Sequence, residues 1–210
     1  MVKKNKIRYW DNGMSQAEDI ILRCFFPEGN EITIRDMSKK TDYSYERINT
    51  ALKKLEKKEI IIAKKVGRTL LFKADYHNLY LKLAFHHYMT ERLIQFKECH
   101  PQIFKAVKEI EECNKTDIVL VFGSYSKRTE TKNSDIDLLV SSINRTEIEK
   151  IVNRIKYKYG LKINLSFVKR TEFMKIKKEN SELWKDLKLN ALVFWGQDLF
   201  YYWIYKHENN

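Results

Sequence analysis

The sequence predicts a two-domain protein of mixed α+β or α/β class, on three observations. Residues 14–75 carry three helical apolar stripes and then two short apolar runs separated by Val66-Gly67-Arg68. Residues 76–113 read as two helices broken at Pro101, with aromatic and aliphatic residues around much of the first. Beyond them, short apolar runs alternate with helical patterns, the signature of a mixed sheet carrying helices. The expected division is therefore 1–75, a helical linker over 76–113, and 114–210.

Each element has a local reason. Ser15 and Glu18 form a capping box for a first helix whose inner face would carry Ala17, Ile20, Ile21, Cys24 and Phe25, ending near Pro27 and Gly29. Thr33 and Asp36 suggest a second cap, for a short helix through about Lys40, followed by a turn at Thr41–Ser44. The third helix, from about Tyr45 to Lys58, sets Ile48, Leu52 and Leu55 on one stripe. Ile60–Lys65 and Thr69–Lys73 flank Val66-Gly67-Arg68, a hairpin tip. In the last region the expected strands are Ile118–Phe122, Asp135–Val140, Leu161–Val168 and Leu192–Gly196. Thr146 and Glu149 are expected to cap a helix ending at Gly160, Thr171 to open further helix, and 198–205 to form a closing aromatic helix. Trp184, Trp195 and Trp203 are expected as core or interface anchors.

Composition narrows the partners. The 210 residues include 40 Lys+Arg against 28 Asp+Glu, a net charge of +12, which favours polyanions such as nucleic acid or nucleotides. The surplus is not confined to one end, since residues 1–75 hold 17 basic and 11 acidic side chains. Cys24, Cys99 and Cys113 lack metal-ligand spacing and read as reduced, mostly buried thiols. His77, His86, His87 and His100 form no ligand pattern and read as packing or surface residues. The N-terminus is basic without a signal-peptide core, and the apolar stretch Tyr76–Phe96 is interrupted by charged residues, so a cytoplasmic protein with no membrane partner is expected.

The most informative segment is GSYSKRTETKNSDID, Gly123–Asp137. It places a Gly-Ser pair at the end of an apolar strand and two aspartates one residue apart at the start of the next. Gly123 lets the backbone approach a ligand, and Ser124 offers a hydroxyl and an amide to a phosphate oxygen. Residues i and i+2 of a strand share a face, so Asp135 and Asp137 converge while Ile136 and Leu138 face the core. Two hard oxygen ligands suit Mg²⁺ whose shell is completed by phosphates.

This arrangement resembles the DNA polymerase β-type nucleotidyltransferase superfamily, especially its minimal bacterial and archaeal members. The resemblance implies that Gly123 and Ser124 hold the triphosphate of an NTP substrate and that Asp135 and Asp137 bind Mg²⁺. Lys127 stands where a basic residue often supports the phosphates, a solvated loop lysine being the alternative. Two departures stand out. Arg128 replaces a frequent glycine, and the later strand, where active relatives often carry a third carboxylate, offers only Asn164. An amide cannot serve as a base near neutral pH. Glu172 is a conceivable substitute, with helix N-terminal charge as its other role.

The order of elements in residues 14–75 resembles a winged helix-turn-helix. That resemblance implies that the third helix enters the major groove and the hairpin tip reaches nearby backbone. Tyr45, Arg47, Asn49, Thr50, Lys53, Lys54 and Arg68 are then the candidate DNA contacts, against the plainer reading of a solvated face. The leading expectation is Mg²⁺-dependent transfer of NMP from NTP to a hydroxyl of a protein or nucleic acid. The alternatives are a DNA-binding regulator with a nucleotide-sensing domain, and an antitoxin-like partner of a small helical protein. A second subunit could also complete so short a unit.

Overall fold

A computed structural model of the chain describes residues 14–111, 116–179 and 181–205. They fall into two units: residues up to Phe26 with Asn30–Ala84, and Pro27–Gly29 with Phe85 onward.

In the first unit, α1 (Gln16–Arg23), α2 (Ile34–Thr41) and α3 (Tyr45–Lys57) precede β1 (Ile61–Val66) and β2 (Thr69–Ala74). Ser15, Thr33 and Ser44 cap the three helices, each hydroxyl accepting the backbone N–H three residues on. The hairpin turns on Gly67-Arg68, with Val66 opposite Thr69. Gly67 has φ of 60°, and glycine first is what a two-residue turn of type II′ asks for. Ile32 bridges to Phe72, adding a third extended segment. Ile21, Leu22, Phe25, Met37, Ile48, Leu52, Leu55 and Ile60 form the fully buried core. The first helix is rotated from the expected face, because Leu22 and Glu18 are buried where Ala17 and Ile20 are only partly covered.

Glu18 is 2% exposed and does two things. It accepts the Ser15 amide at 2.7 Å, closing the capping box, and it pairs with Lys58 at 2.6 Å. Burial pushes its carboxyl up, but hydrogen bonds from Lys58 and Ser15, with the charge of Lys58, outweigh that and leave it below its ordinary 4.5. A depressed carboxyl stabilises the fold above its unfolded pKa and loses that contribution as pH falls through the lower folded value. Lys58→Met should therefore cost about 2 kcal/mol at pH 7, with the cost shrinking below about pH 4. Urea unfolding of both chains across that range would show it, and a pH-independent difference would contradict it.

The second unit is built on a four-stranded sheet of order β5-β4-β3-β6. Its strands are β3 (Ile118–Phe122), β4 (Ile136–Ser141), β5 (Ile163–Phe167) and β6 (Leu192–Trp195). β3 is antiparallel to β4 and to β6, while β4 and β5 run parallel. The helices are α4 (Leu79–Cys99), whose first turns belong to the other unit, α5 (Pro101–Glu111), α6 (Ser124–Lys127), α7 (Arg145–Tyr159), α8 (Arg170–Lys178), α9 (Glu182–Asn190) and α10 (Gln197–Tyr205). Residues Ala106, Val107 and Ile110 of α5 and Ile148, Val152 and Ile155 of α7 pack on Val119, Val121, Ile136, Leu138 and Val140. α9 packs on β3, α10 on β3 and β6, and α8 on α9 and α10. Pro101 starts α5, where its missing N–H costs nothing. The stretch expected as a linker is thus divided between the units, and α5 is part of the sheet's core because its apolar stripe needs that face.

Several local expectations are corrected. α7 is capped by Asn144, without a side-chain bond, so Thr146 and Glu149 lie inside the helix and cannot cap it. Gly160 does end it, with φ of 64°. The helix expected from Thr171 begins at Arg170 after Lys169, and a second one, α9, is capped by Ser181. Cys24 is buried but Cys99, at the end of α4, is exposed; Cys113 lies outside the described residues. Trp184 and Trp203 are buried, whereas Trp195 is 43% exposed and donates its indole N–H to the Thr116 carbonyl at 3.1 Å. Among the described residues no helix is long and apolar enough to cross a membrane.

Candidate functional site

The pairing of three strands brings the predicted residues together. Asp137 lies opposite Phe122 on β3 and opposite Asn164 on β5. Ile136 and Leu138 are buried, so by strand alternation Asp135 and Asp137 share the other face. Asp137 is half-buried and Asp135 is exposed, just before β4.

Gly123 joins β3 to α6 with φ 72° and ψ −145°, a conformation essentially reserved for glycine. A Cβ at this position would stand 2.2 Å from Asp137 Oδ2, so the loop backbone can lie against the carboxylate only because no side chain intervenes. Ser124, half-buried, opens the single turn of α6, and Ser126 Oγ donates to the Gly123 carbonyl at 2.9 Å. Thr131 and Ser134 close the loop that delivers Asp135, with Thr131 N donating to Ser134 Oγ at 2.9 Å.

Arg128 adopts φ of 58° and ends α6 in the left-handed region. That conformation accounts for the glycine expected there, since only glycine enters it without a steric cost. Arg128 retains the place with a compensating contact, donating to Gln95 Oε1 at 2.7 Å. Lys127 reaches Asp186 of α9 at 3.3 Å, a pairing the sequence could not reveal across so much intervening chain. His100, expected to be a packing or surface residue, meets the Phe96 ring at a tilt and the Tyr125 ring edge-to-face, and lies 3.2 Å from Glu130. It thereby ties the start of α5 to α6 and to the loop that follows.

Asn164 donates its amide to Asp137 Oδ1 at 3.1 Å. It occupies the rung nearest the aspartates and offers an N–H where a third acid would offer an oxygen. Glu172 is spoken for elsewhere: it accepts the Lys169 amide at 2.7 Å at the start of α8, the helix N-terminal role considered for it. Among the described residues no group of three or more His, Cys, Asp or Glu is placed to hold a metal ion. The donor set is two carboxylates beside a glycine cradle, which suits an ion whose remaining ligands come from phosphate and water.

Of the candidate DNA residues, Tyr45, Arg47, Thr50, Lys53, Lys54 and Arg68 are exposed and Asn49 is half-buried. Arg47 is held over the Tyr43 ring at 3.7 Å.

Residues 100–189 match the family model of the nucleotidyltransferase domain, which supports the nucleotidyltransferase superfamily for this part of the chain. The matched region begins at the start of α5 and contains Gly123, Ser124, Asp135, Asp137 and Asn164. Such a domain suggests transfer of a nucleoside monophosphate in general and an NTP as substrate. No curated protein and no solved structure matches the chain.

Proposed function

We propose that the second unit transfers a nucleoside monophosphate from an NTP to a hydroxyl of a protein or nucleic-acid acceptor, with Mg²⁺, breaking the α–β phosphoanhydride bond and releasing pyrophosphate. The observation that carries the reading is the close approach of Gly123 to Asp137, which sets bare loop backbone directly beside a carboxylate. Gly123 and Ser124 hold the triphosphate, the Ser124 hydroxyl and amide donating to its oxygens. Asp135 and Asp137 would hold Mg²⁺, which when bound neutralises phosphate charge and favours attack at the α-phosphorus. Lys127 exchanges Asp186 for a phosphate oxygen. Asn164 orients Asp137 and supplies no base, so the acceptor proton leaves to solvent or to the substrate. Transfer of label from α-labelled NTP is expected in the full chain and should fall by about 10³-fold or more in Asp135→Ala and Asp137→Ala, as expected when electrostatic stabilisation of the transferring group is lost. Undiminished labelling in both variants would sink the proposal.

The first unit, in this proposal, is a winged helix that binds DNA through α3 and the hairpin turn. Its exposed row of Tyr45, Arg47, Thr50, Lys53, Lys54 and Arg68 supports this. Removing Lys53, Lys54 and Arg68 together should weaken duplex binding and reduce the slope of log K against log salt by about 2.7, roughly 0.9 for each phosphate no longer neutralised. Binding with an unaltered slope would rule the surface out.

A second reading is favoured by the Asn164–Asp137 bond: a regulator whose nucleotide site senses without turning over. It predicts that NTP alters DNA affinity in the natural chain and not in Asp137→Ala, with no transfer in either.

A further inference from the structure

We infer that the pole of the sheet opposite Gly123 and Asp137 is a second ligand site, which takes a phosphate-bearing small molecule of nucleotide size. A cavity of about 590 Å³ opens there, within the range of small-molecule sites. Ser141 is in its wall. Asp137, Leu139 and Ser141 follow one another at alternate positions on one face of β4, so this cavity lies about 13 Å along the strand from the first site.

Its lining carries Arg145, Lys169 and Arg170 against one acid, Asp117. Asp117 is engaged by the Ser141 hydroxyl at 3.3 Å, and Glu172 reaches Arg145 at 3.8 Å from outside the lining, so positive charge stays in excess. Two of the cations are held by aromatic faces: Arg145 over Phe167 at 5.3 Å and Arg170 over Tyr202 at 5.5 Å. Guanidinium groups fixed this way lose little freedom on meeting a phosphate. α7 and α8 both begin at the cavity, at Asn144 and Lys169, and neither of these residues caps its helix with a side-chain hydrogen bond.

The wall itself points to an organic body attached to the anion. Leu199 and Trp203 line the cavity. Trp203 is 2% exposed, and its buried indole N–H has no hydrogen-bond partner among the described residues. A buried donor left unsatisfied is rare in a folded protein and calls for a partner to complete it, such as a bound water, ion or ligand. Phosphate on the three cations, with a planar polar body against Trp203, uses every one of these groups. The inference does not depend on transfer at the first site.

The test separates the two sites. In Asp135→Ala/Asp137→Ala with EDTA, which removes metal-bridged binding at the first site, AMP is expected to bind saturably. It should shift the Trp203 indole resonance, assigned among the four tryptophans by Trp203→Phe. Adding Lys169→Glu and Arg170→Glu, both exposed, should lower AMP affinity by about tenfold or more, since charge-assisted hydrogen bonds to phosphate disappear. Absence of saturable AMP binding would overturn the inference, as would an affinity indifferent to the Lys169 and Arg170 changes. Inorganic phosphate binding as tightly as AMP would overturn it too, because the apolar wall would then take no part.

Discussion

Replacing Gly123 by alanine is expected to remove Mg-NTP binding and to destabilise the second unit by about 3 kcal/mol or more, the sum of a glycine-only backbone conformation and a steric overlap. The overlap is specific. The new methyl would stand 2.2 Å from Asp137 Oδ2 and 3.1 Å from its Cγ. Relief requires either the loop to lift from β4 or the carboxylate to turn away, and each separates the proposed phosphate cradle from the proposed metal ligand. Denaturant unfolding and titration with Mg²⁺ and a nonhydrolysable NTP measure the two effects. Normal nucleotide affinity in Gly123→Ala would show that the approach of loop to strand is irrelevant to binding.

Asn164→Asp is expected to act in the other direction and raise Mg²⁺-dependent transfer by about 10²-fold or more, the contribution typical of a positioned general base. The register already sets residue 164 opposite Asp137, and the side-chain atoms are 3.1 Å apart. The substitution keeps the shape, since an amide and a carboxylate differ by one terminal atom. It exchanges a hydrogen bond for repulsion between two carboxylates, so the metal-free variant should melt below the natural chain and recover when Mg²⁺ is added. A rate that does not rise, together with a melting temperature that ignores Mg²⁺, would place the missing acid elsewhere.

The features legible in the sequence are those decided within a few residues of chain. The capping pairs at Ser15–Glu18 and Thr33–Asp36, the hairpin at Gly67, the stop at Gly160 and the Gly-Ser to Asp-x-Asp segment all depend on neighbours in sequence. Asn164 is legible because the later strand carries no acid and offers only this amide where a third carboxylate would be expected. Pairings between distant positions are not. Nothing in the residues around Lys127 announces Asp186, and nothing around Arg128 announces Gln95. Glu18 has the look of a surface cap, and only packing by α3 shows it to be buried beside Lys58. The cap of α7 escapes the sequence for a subtler reason. Thr146 and Glu149 have capping-box spacing, but the chain leaves β4 early enough for Asn144 to become the boundary, and a threonine inside the first turn no longer faces a free amide.

The rung shared by Phe122, Asp137 and Asn164 also bears on how the domain avoids misfolding. A slip of one residue between β3 and β4 would turn Asp137 inward and Ile136 and Leu138 outward, burying a lone carboxylate among Val119, Val121 and Val152. That penalty, several kcal/mol for an unpaired buried charge, far exceeds what a one-residue error costs a uniformly apolar strand. The aspartates thus act as proofreading marks for strand pairing, so a variant with both made apolar should refold with more off-register species even though its native state gains hydrophobic surface.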